Sequence, residues 1–244
     1  MASDRLTGWV AIAMAWCAGF VDAAAYLRLS RTYSSHITGN TATFARRMVE
    51  GEWQTAGKAG WAIFCFFFGL MISATLQHIE RRRGTRSAFA LVLGIEIVLL
   101  GAFIPLAGIP SAPLWLVIFL PAAAMGMQTV TVTRAGTLRL YTTFMTGNLS
   151  EFSESLARYL FWARDRTRGR FRRRWLLVLR LALRQEPAQR AAVSLGLWLA
   201  FLAGTVCGIA GDLAWGAIAM LLPMAALGAI IPLDRRRPRA IERK

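Results

Sequence analysis

The stretch Tyr33-Ser-Ser-His-Ile-Thr-Gly-Asn-Thr-Ala-Thr-Phe44 returns 108 positions later as Tyr141-Thr-Thr-Phe-Met-Thr-Gly-Asn-Leu-Ser-Glu-Phe152. Tyr, Thr-Gly-Asn and Phe keep their places, and Ser/Thr, Ile/Met and Ala/Ser exchanges fill most of the rest. The likeness extends outward. Gly19 and Asp22 precede the first copy, and Gly126 and Gln128 precede the second. Beyond the copies, Gly69 and Ser73 stand four apart, as do Gly204 and Gly208. This small-xxx-small spacing lets a neighbouring helix approach closely in lipid. Gly69 and Gly204 lie 135 apart rather than 108, and the excess of 27 is the length of the Arg-rich stretch 164–190. That stretch therefore reads as an insertion into the second of two repeats.

Of the 244 residues, 56% are hydrophobic and 17% charged, and the apolar ones lie in long blocks. About 20 mostly apolar residues make a membrane-spanning helix. Six blocks qualify: 8–27, 57–77, 87–107, 113–133, 191–211 and 214–233. The expected fold is an all-α membrane protein of about six transmembrane helices in two repeats, 1–110 and 111–234, with a basic tail, 235–244. Arg5, an apolar run and small residues imitate a signal peptide at the N-terminus, but the same block has a counterpart in the second half. Cys17, Cys65 and Cys207 sit singly in different apolar blocks, with no metal or disulfide spacing. No cofactor or metal is expected.

Three spans per half would make the second half enter the bilayer from the opposite side, giving inverted repeats. The net charge of +16 is carried by short segments, at Arg81–Arg83 with Arg86, at 164–190, and at Arg235–Arg237 with Arg239. Cytoplasmic loops carry such an excess, so both termini are expected in the cytoplasm of a bacterial inner membrane. Nucleic acid is not an expected partner. Arg46, Arg47 and Lys58 dissent from this orientation. A rival topology makes each Thr-Gly-Asn segment a span, giving eight spans in two parallel halves.

Asn148 with Glu151 three residues on has the form of a capping box, so a helix is expected to start at Asn148, and likewise at Asn40. In the second copy Leu149, Phe152, Leu156 and Leu160 form one stripe, with Glu154 and Arg158 paired on another face. Such short amphipathic helices suit a re-entrant or interfacial place. Backbone N–H groups at helix N-termini can receive anions. Inverted repeats with broken helices are the build of many secondary transporters, with substrate between the breaks. Thr38, Gly39, Asn40, Thr146, Gly147 and Asn148 are therefore candidate binding residues. The plainer alternative is a turn and cap, repeated by gene duplication.

Gly19-Phe-Val-Asp22, Thr38-Gly-Asn40, Gly126-Met-Gln128 and Thr142-Thr-Phe-Met-Thr-Gly147 together resemble the YoaK family (domain of unknown function 1275). The resemblance covers most of the chain apart from the insertion and tails. It implies a bacterial multi-pass membrane protein and leaves activity open. The family pattern usually has Asn after the Gln, where this chain has Thr129, which weakens any polar role implied for that position.

Asp22 and Glu96 lie at membrane depth, where acids are functional candidates by default. Either is a proton carrier, or each makes a structural hydrogen bond. Gln128 is a candidate ligand or an interhelical hydrogen bonder. Asp212 reads as a loop residue at a span end. Pro121 and Pro223 are expected to kink their spans. His36 has Phe144 as its counterpart, so symmetry supports no shared titrating role. The insertion, with Arg172, Arg173, Arg174, Arg180 and Arg184, reads as a segment lying on anionic lipid headgroups. No HExxH, GxSxG, Cys/His dyad or phosphate-cradling loop occurs, so no enzyme is expected. The leading function is a transporter or channel for a small solute, anions included. The alternative is a scaffold or regulatory protein docking through the Arg-rich loop.

Overall fold

A computed structural model describes residues 2–29, 31–83, 88–131, 133–135, 138–140, 142–167 and 185–234. Its helices are α1 (Ala2–Arg28), α2 (Ile37–Val49), α3 (Trp53–Arg83), α4 (Ala88–Ala107), α5 (Leu114–Val130), α6 (Met145–Thr167), α7 (Glu186–Trp215) and α8 (Leu221–Asp234). Two three-residue strands, β1 (Thr133–Ala135) and β2 (Leu138–Leu140), pair antiparallel between α5 and α6, with Thr133 opposite Leu140. Four stretches are long and apolar enough to cross a membrane: Gly8–Arg28, Trp53–Glu80, Ala88–Ala107 and Glu186–Pro232. The last contains both α7 and α8, and Leu114–Val130 is a shorter apolar helix.

The last two spans are divided differently from the sequence expectation. The chain does not break near 212; α7 continues to Trp215 and a 3-10 segment, Gly216–Met220, follows. Gly216 has φ +64°, and a Cβ there would lie 3.1 Å from the Arg28 guanidinium, so both backbone and space call for glycine. Pro223 falls in the first turn of α8, where a missing N–H breaks no helical bond. It does not kink that helix from within. Pro121 does lie inside α5.

The first helix of each half forms the centre. The α1 span is 67% buried, against 33% for α3, 28% for α4 and 33% for the α7–α8 stretch. In α5 the run Leu120–Gln128 is buried throughout. The outer helices turn Phe64, Phe67, Phe68, Val98, Leu202, Val206 and Leu213 outward. An apolar belt of this extent is out of place in water and at home in acyl chains.

Packing crosses between the halves. A Cβ on Gly19 of α1 would lie 2.1 Å from the Phe201 carbonyl oxygen of α7, and one on Gly204 of α7 would lie 2.0 Å from the Trp16 oxygen of α1. The second pair repeats the arrangement: a Cβ on Gly69 of α3 would lie 2.1 Å from the Ala123 oxygen, and one on Gly126 of α5 would lie 2.1 Å from the Phe66 oxygen. Both pairs run parallel. Along α1 and α7, Ile12 sits by Gly196, Gly19 by Phe201 and Arg28 by Asp212. Along α3 and α5, Trp61 donates to the Trp115 oxygen and Gln77 to the Val130 oxygen.

Helix directions also place α2. Cys17 of α1 meets the Pro223 oxygen, a Cβ on Gly101 of α4 would meet the next residue, Met224, and Arg28 reaches the Ala107 oxygen at α4's end, so α1 and α4 point the same way. The short connection 108–113 turns the chain back into α5, and α3 runs parallel to α5. Thus α3 opposes α1, and α2 between them starts and finishes at one end of the bundle.

Substitution separates a tight glycine from an idle one. Gly204→Ala is expected to lower stability by about 1–3 kcal/mol, since the added carbon must force two backbones apart. Gly94→Ala, with nothing within 4 Å of its Cβ position, should be neutral or stabilise by up to about 1 kcal/mol. Unfolding in mixed detergent micelles measures both, and equal effects would show that the crossing is not close.

Candidate functional site

The repeated phrase is not a cap. The helix α2 begins at Ile37, with His36 as N-cap and no side-chain capping bond, and α6 begins at Met145. Thr38-Gly-Asn40 and Thr146-Gly-Asn148 therefore lie inside their first turns. The Asn40 and Asn148 main-chain N–H groups already make helical bonds, to the His36 and Phe144 oxygens at 3.0 and 3.1 Å. The sequence predicts a helix starting at each Asn, but both lie within the first turn, and the Asn40 side chain points backward. Asn40 Oδ1 accepts from the Tyr33 N–H at 3.1 Å, and its Nδ2 donates to the Tyr33 oxygen at 2.7 Å. This two-point grip imitates a backbone pair and fastens the loop onto the helix that follows.

The glycine of the phrase has a matching reason. A Cβ on Gly39 would lie 2.8 Å from His36 Cδ2, and one on Gly147 would lie 2.0 Å from Phe144 Cε1. In each half the ring three residues upstream lies over the glycine. His36 and Phe144 thus share a packing role. Tyr33 extends the first stack, 5.0 Å from His36 and 4.4 Å from Tyr26 between ring centroids. Burial, then the neighbouring Tyr26, push the Tyr33 phenol upward.

Asp22 joins this loop to α1. Its Oδ1 accepts from the Ser34 N–H (2.9 Å), the Ser34 hydroxyl (2.8 Å) and the Ser35 N–H (2.7 Å). At the equivalent place in the second half stands Thr129, whose hydroxyl donates to the Met125 oxygen at 2.8 Å and lies 2.8 Å from the Thr143 hydroxyl. Position 129 keeps a polar role after all. Ser34, Ser35, Thr142 and Thr143 were missed as site residues, although the repeat itself sets Ser34-Ser35 over Thr142-Thr143.

The remaining polar residues lie elsewhere. Gln128 is buried, and its Nε2 donates to the Met14 oxygen at 2.7 Å, while its Oε1 has no partner among the described residues. Glu96 is 0% exposed, and among the described residues neither of its carboxyl oxygens has a partner. The structure therefore gathers Asp22 with Asn40, and Thr129 with the loop leading to Asn148, while Gln128 lies against α1. It does not bring the two Thr-Gly-Asn segments into one cluster.

Asp212 is no loop residue. It lies in the last turns of α7 and pairs with Arg28 Nε at 2.5 Å, tying α1 to α7. Glu154 and Arg158 pair as expected, but Leu149, Leu156 and Leu160 face outward, and α6 turns Asn148, Ser155 and Ala163 inward. Arg172, Arg173, Arg174, Arg180 and Arg184 lie outside the described residues. The ends of the stretch read as an insertion belong to helices, 164–167 to α6 and 186–190 to α7.

An all-helical bundle with an apolar belt and buried polar contacts defines an integral, multi-pass membrane protein. The chain belongs to the DUF1275 family, described as a protein of unknown function, whose model matches residues 10–233. It is 25% identical over 150 residues to the UPF0700 transmembrane protein YoaK of Bacillus subtilis (strain 168), covering 61% of this chain and 67% of that relative. No solved structure matches.

The Asp22 contacts predict an asymmetry between the halves. Asp22→Leu should cost about 1–3 kcal/mol for each donor left without an acceptor, whereas Thr129→Val removes one hydroxyl and should cost about 1 kcal/mol. Denaturant titration of the two variants checks this, and equal small losses would mean that the Asp22 bonds hold nothing together.

Proposed function

We propose that the chain crosses the bilayer six times as two inverted halves, and that it carries a small solute, anions included, as a secondary transporter or channel. The helix directions support the inversion: α2 returns the chain to the end where α1 finished, leaving three crossings per half. The two close pairs, α1 with α7 and α3 with α5, are the exchange expected of a two-fold axis in the membrane plane. With both termini in the cytoplasm of a bacterial inner membrane, the Arg-rich stretches fall inside. The dissenting Arg46 and Arg47 are held by Glu50 and Glu52 at the end of α2. Residues 164–190 then face anionic lipid. We assign no catalytic role.

One observation carries the transport reading. Among the described residues, Glu96 and Gln128 hold polar atoms without partners, deep among apolar side chains. Buried polar groups left without partners are costly, and in a membrane protein they mark pathways more often than scaffolding. A purely structural bundle gains nothing by keeping them.

Topology and flux are tested separately. In a chain lacking native cysteines, Gln54→Cys should label from outside intact cells with an impermeant maleimide, and Asp165→Cys only after the cells are opened. Protection of both would return the eight-span topology. In liposomes, an anion-flux screen should find activity that falls at least about ten-fold in Glu96→Gln while the variant folds and inserts normally. Undiminished flux in that variant would remove Glu96 from the mechanism. Loss of cellular function on deleting 168–184, with Glu96→Gln harmless, would favour the scaffold.

A further inference from the structure

The two halves present the same loop with one chemical difference. In the first, Asp22 supplies a carboxylate to the donors of Ser34 and Ser35. In the second, Thr142 and Thr143 replace Ser34 and Ser35, and Thr129 replaces Asp22. Three observations show that the loops correspond. Thr129 meets the Thr143 hydroxyl, where Asp22 meets the Ser35 main-chain N–H. The ring over the phrase's glycine recurs, and so does the first main-chain bond of the helix beyond.

Threonine is too short and carries no charge to fill the carboxylate's place. Its hydroxyl hydrogen goes to the Met125 oxygen, so Thr143 is the donor in the bond between the two threonines. That leaves Thr142. It is 2% exposed, and its hydroxyl, the counterpart in the repeat of the Ser34 hydroxyl that meets Asp22, has no partner among the described residues. A buried hydroxyl without a partner is a standing cost. Helix α6, 23 residues long, begins three residues later and adds the positive end of its dipole.

We propose that Thr142 and Thr143, just before α6, bind a small monocarboxylate, which occupies the place that Asp22 fills internally in the first half. The ligand's carboxylate accepts from the Thr142 hydroxyl and from the Thr142 and Thr143 main-chain N–H groups, as Asp22 Oδ1 does from Ser34 and Ser35. The two halves then differ in kind: one anion site is filled permanently by the chain, the other exchangeably from solution. This deepens the transport reading and rests on it for the ligand's further travel, but the binding site stands on its own geometry.

The test uses the full chain in lipid nanodiscs with acetate as probe, followed by ligand-observed NMR, and with acetamide as a neutral analogue of the same shape. Wild type should bind acetate saturably and not acetamide. Thr142→Val should weaken acetate at least about ten-fold, the value of a hydrogen bond to a charged group. Thr129→Asp should abolish acetate binding, because the new side chain supplies the carboxylate as Asp22 does, and it keeps the test decisive if T142V fails to fold. Ser153→Ala on the exposed side of α6 should leave binding unchanged. No acetate binding by wild type would overturn the proposal, as would equal binding by wild type, T142V and T129D. Acetate binding without flux in liposomes would sink the transport reading and leave the site; flux without acetate binding would do the reverse.

Discussion

Everything in this bundle depends on backbone meeting backbone at five glycines. Gly19, Gly204 and Gly208 bring α1 and α7 so close that one carbon more on any of them would enter a carbonyl oxygen. Gly69 and Gly126 do the same for α3 and α5. Water drives no association between helices already in lipid, so close van der Waals contact and Cα–H···O approaches carry the pairing. Both contacts join a helix of one half to a helix of the other. Neither half could hold this arrangement alone, and the centre formed by α1 and α5 exists only because the halves embrace.

On that frame, polar side chains fasten the parts that glycine cannot. Asn40 holds its own loop through both backbone groups of Tyr33, and Asp22 holds the same loop to α1. At the ends of the close pairs, Arg28 grips Asp212 and the Ala107 oxygen, while Gln77 reaches the Val130 oxygen. Each bond is made where the alternative partner would be scarce, which is why so few of them suffice. The two Thr-Gly-Asn loops are alike in sequence and differ chemically at positions 22 and 129.

The polar groups left over are as informative as those paired. Among the described residues, Glu96, Gln128 and Thr142 each bury a polar atom without a partner, Gln128 against α1 and Thr142 just before α6. Nothing in the packing of apolar belts requires any of them.

Much of this could be read from the chain. Apolar blocks of about 20 residues fixed the class, because the hydrocarbon thickness leaves a helix little choice of length. The paired small residues marked glycines at which helices meet closely, because only a missing side chain lets two backbones approach. Local patterns could not show where side chains turn. Asn148 with Glu151 looked like a cap, yet α6 starts at Met145 and the Asn148 main-chain N–H already bonds the Phe144 oxygen. Asp212 looked like a loop residue until Arg28, 184 positions away in sequence, met it. The inward faces of α2 and α6, the crossing of the halves and the unpaired Glu96, Gln128 and Thr142 are relations between distant segments. Sequence determined which residues could lie in lipid and which could approach closely; only tertiary packing decided which helix each glycine meets, and so which polar atoms are left without a partner.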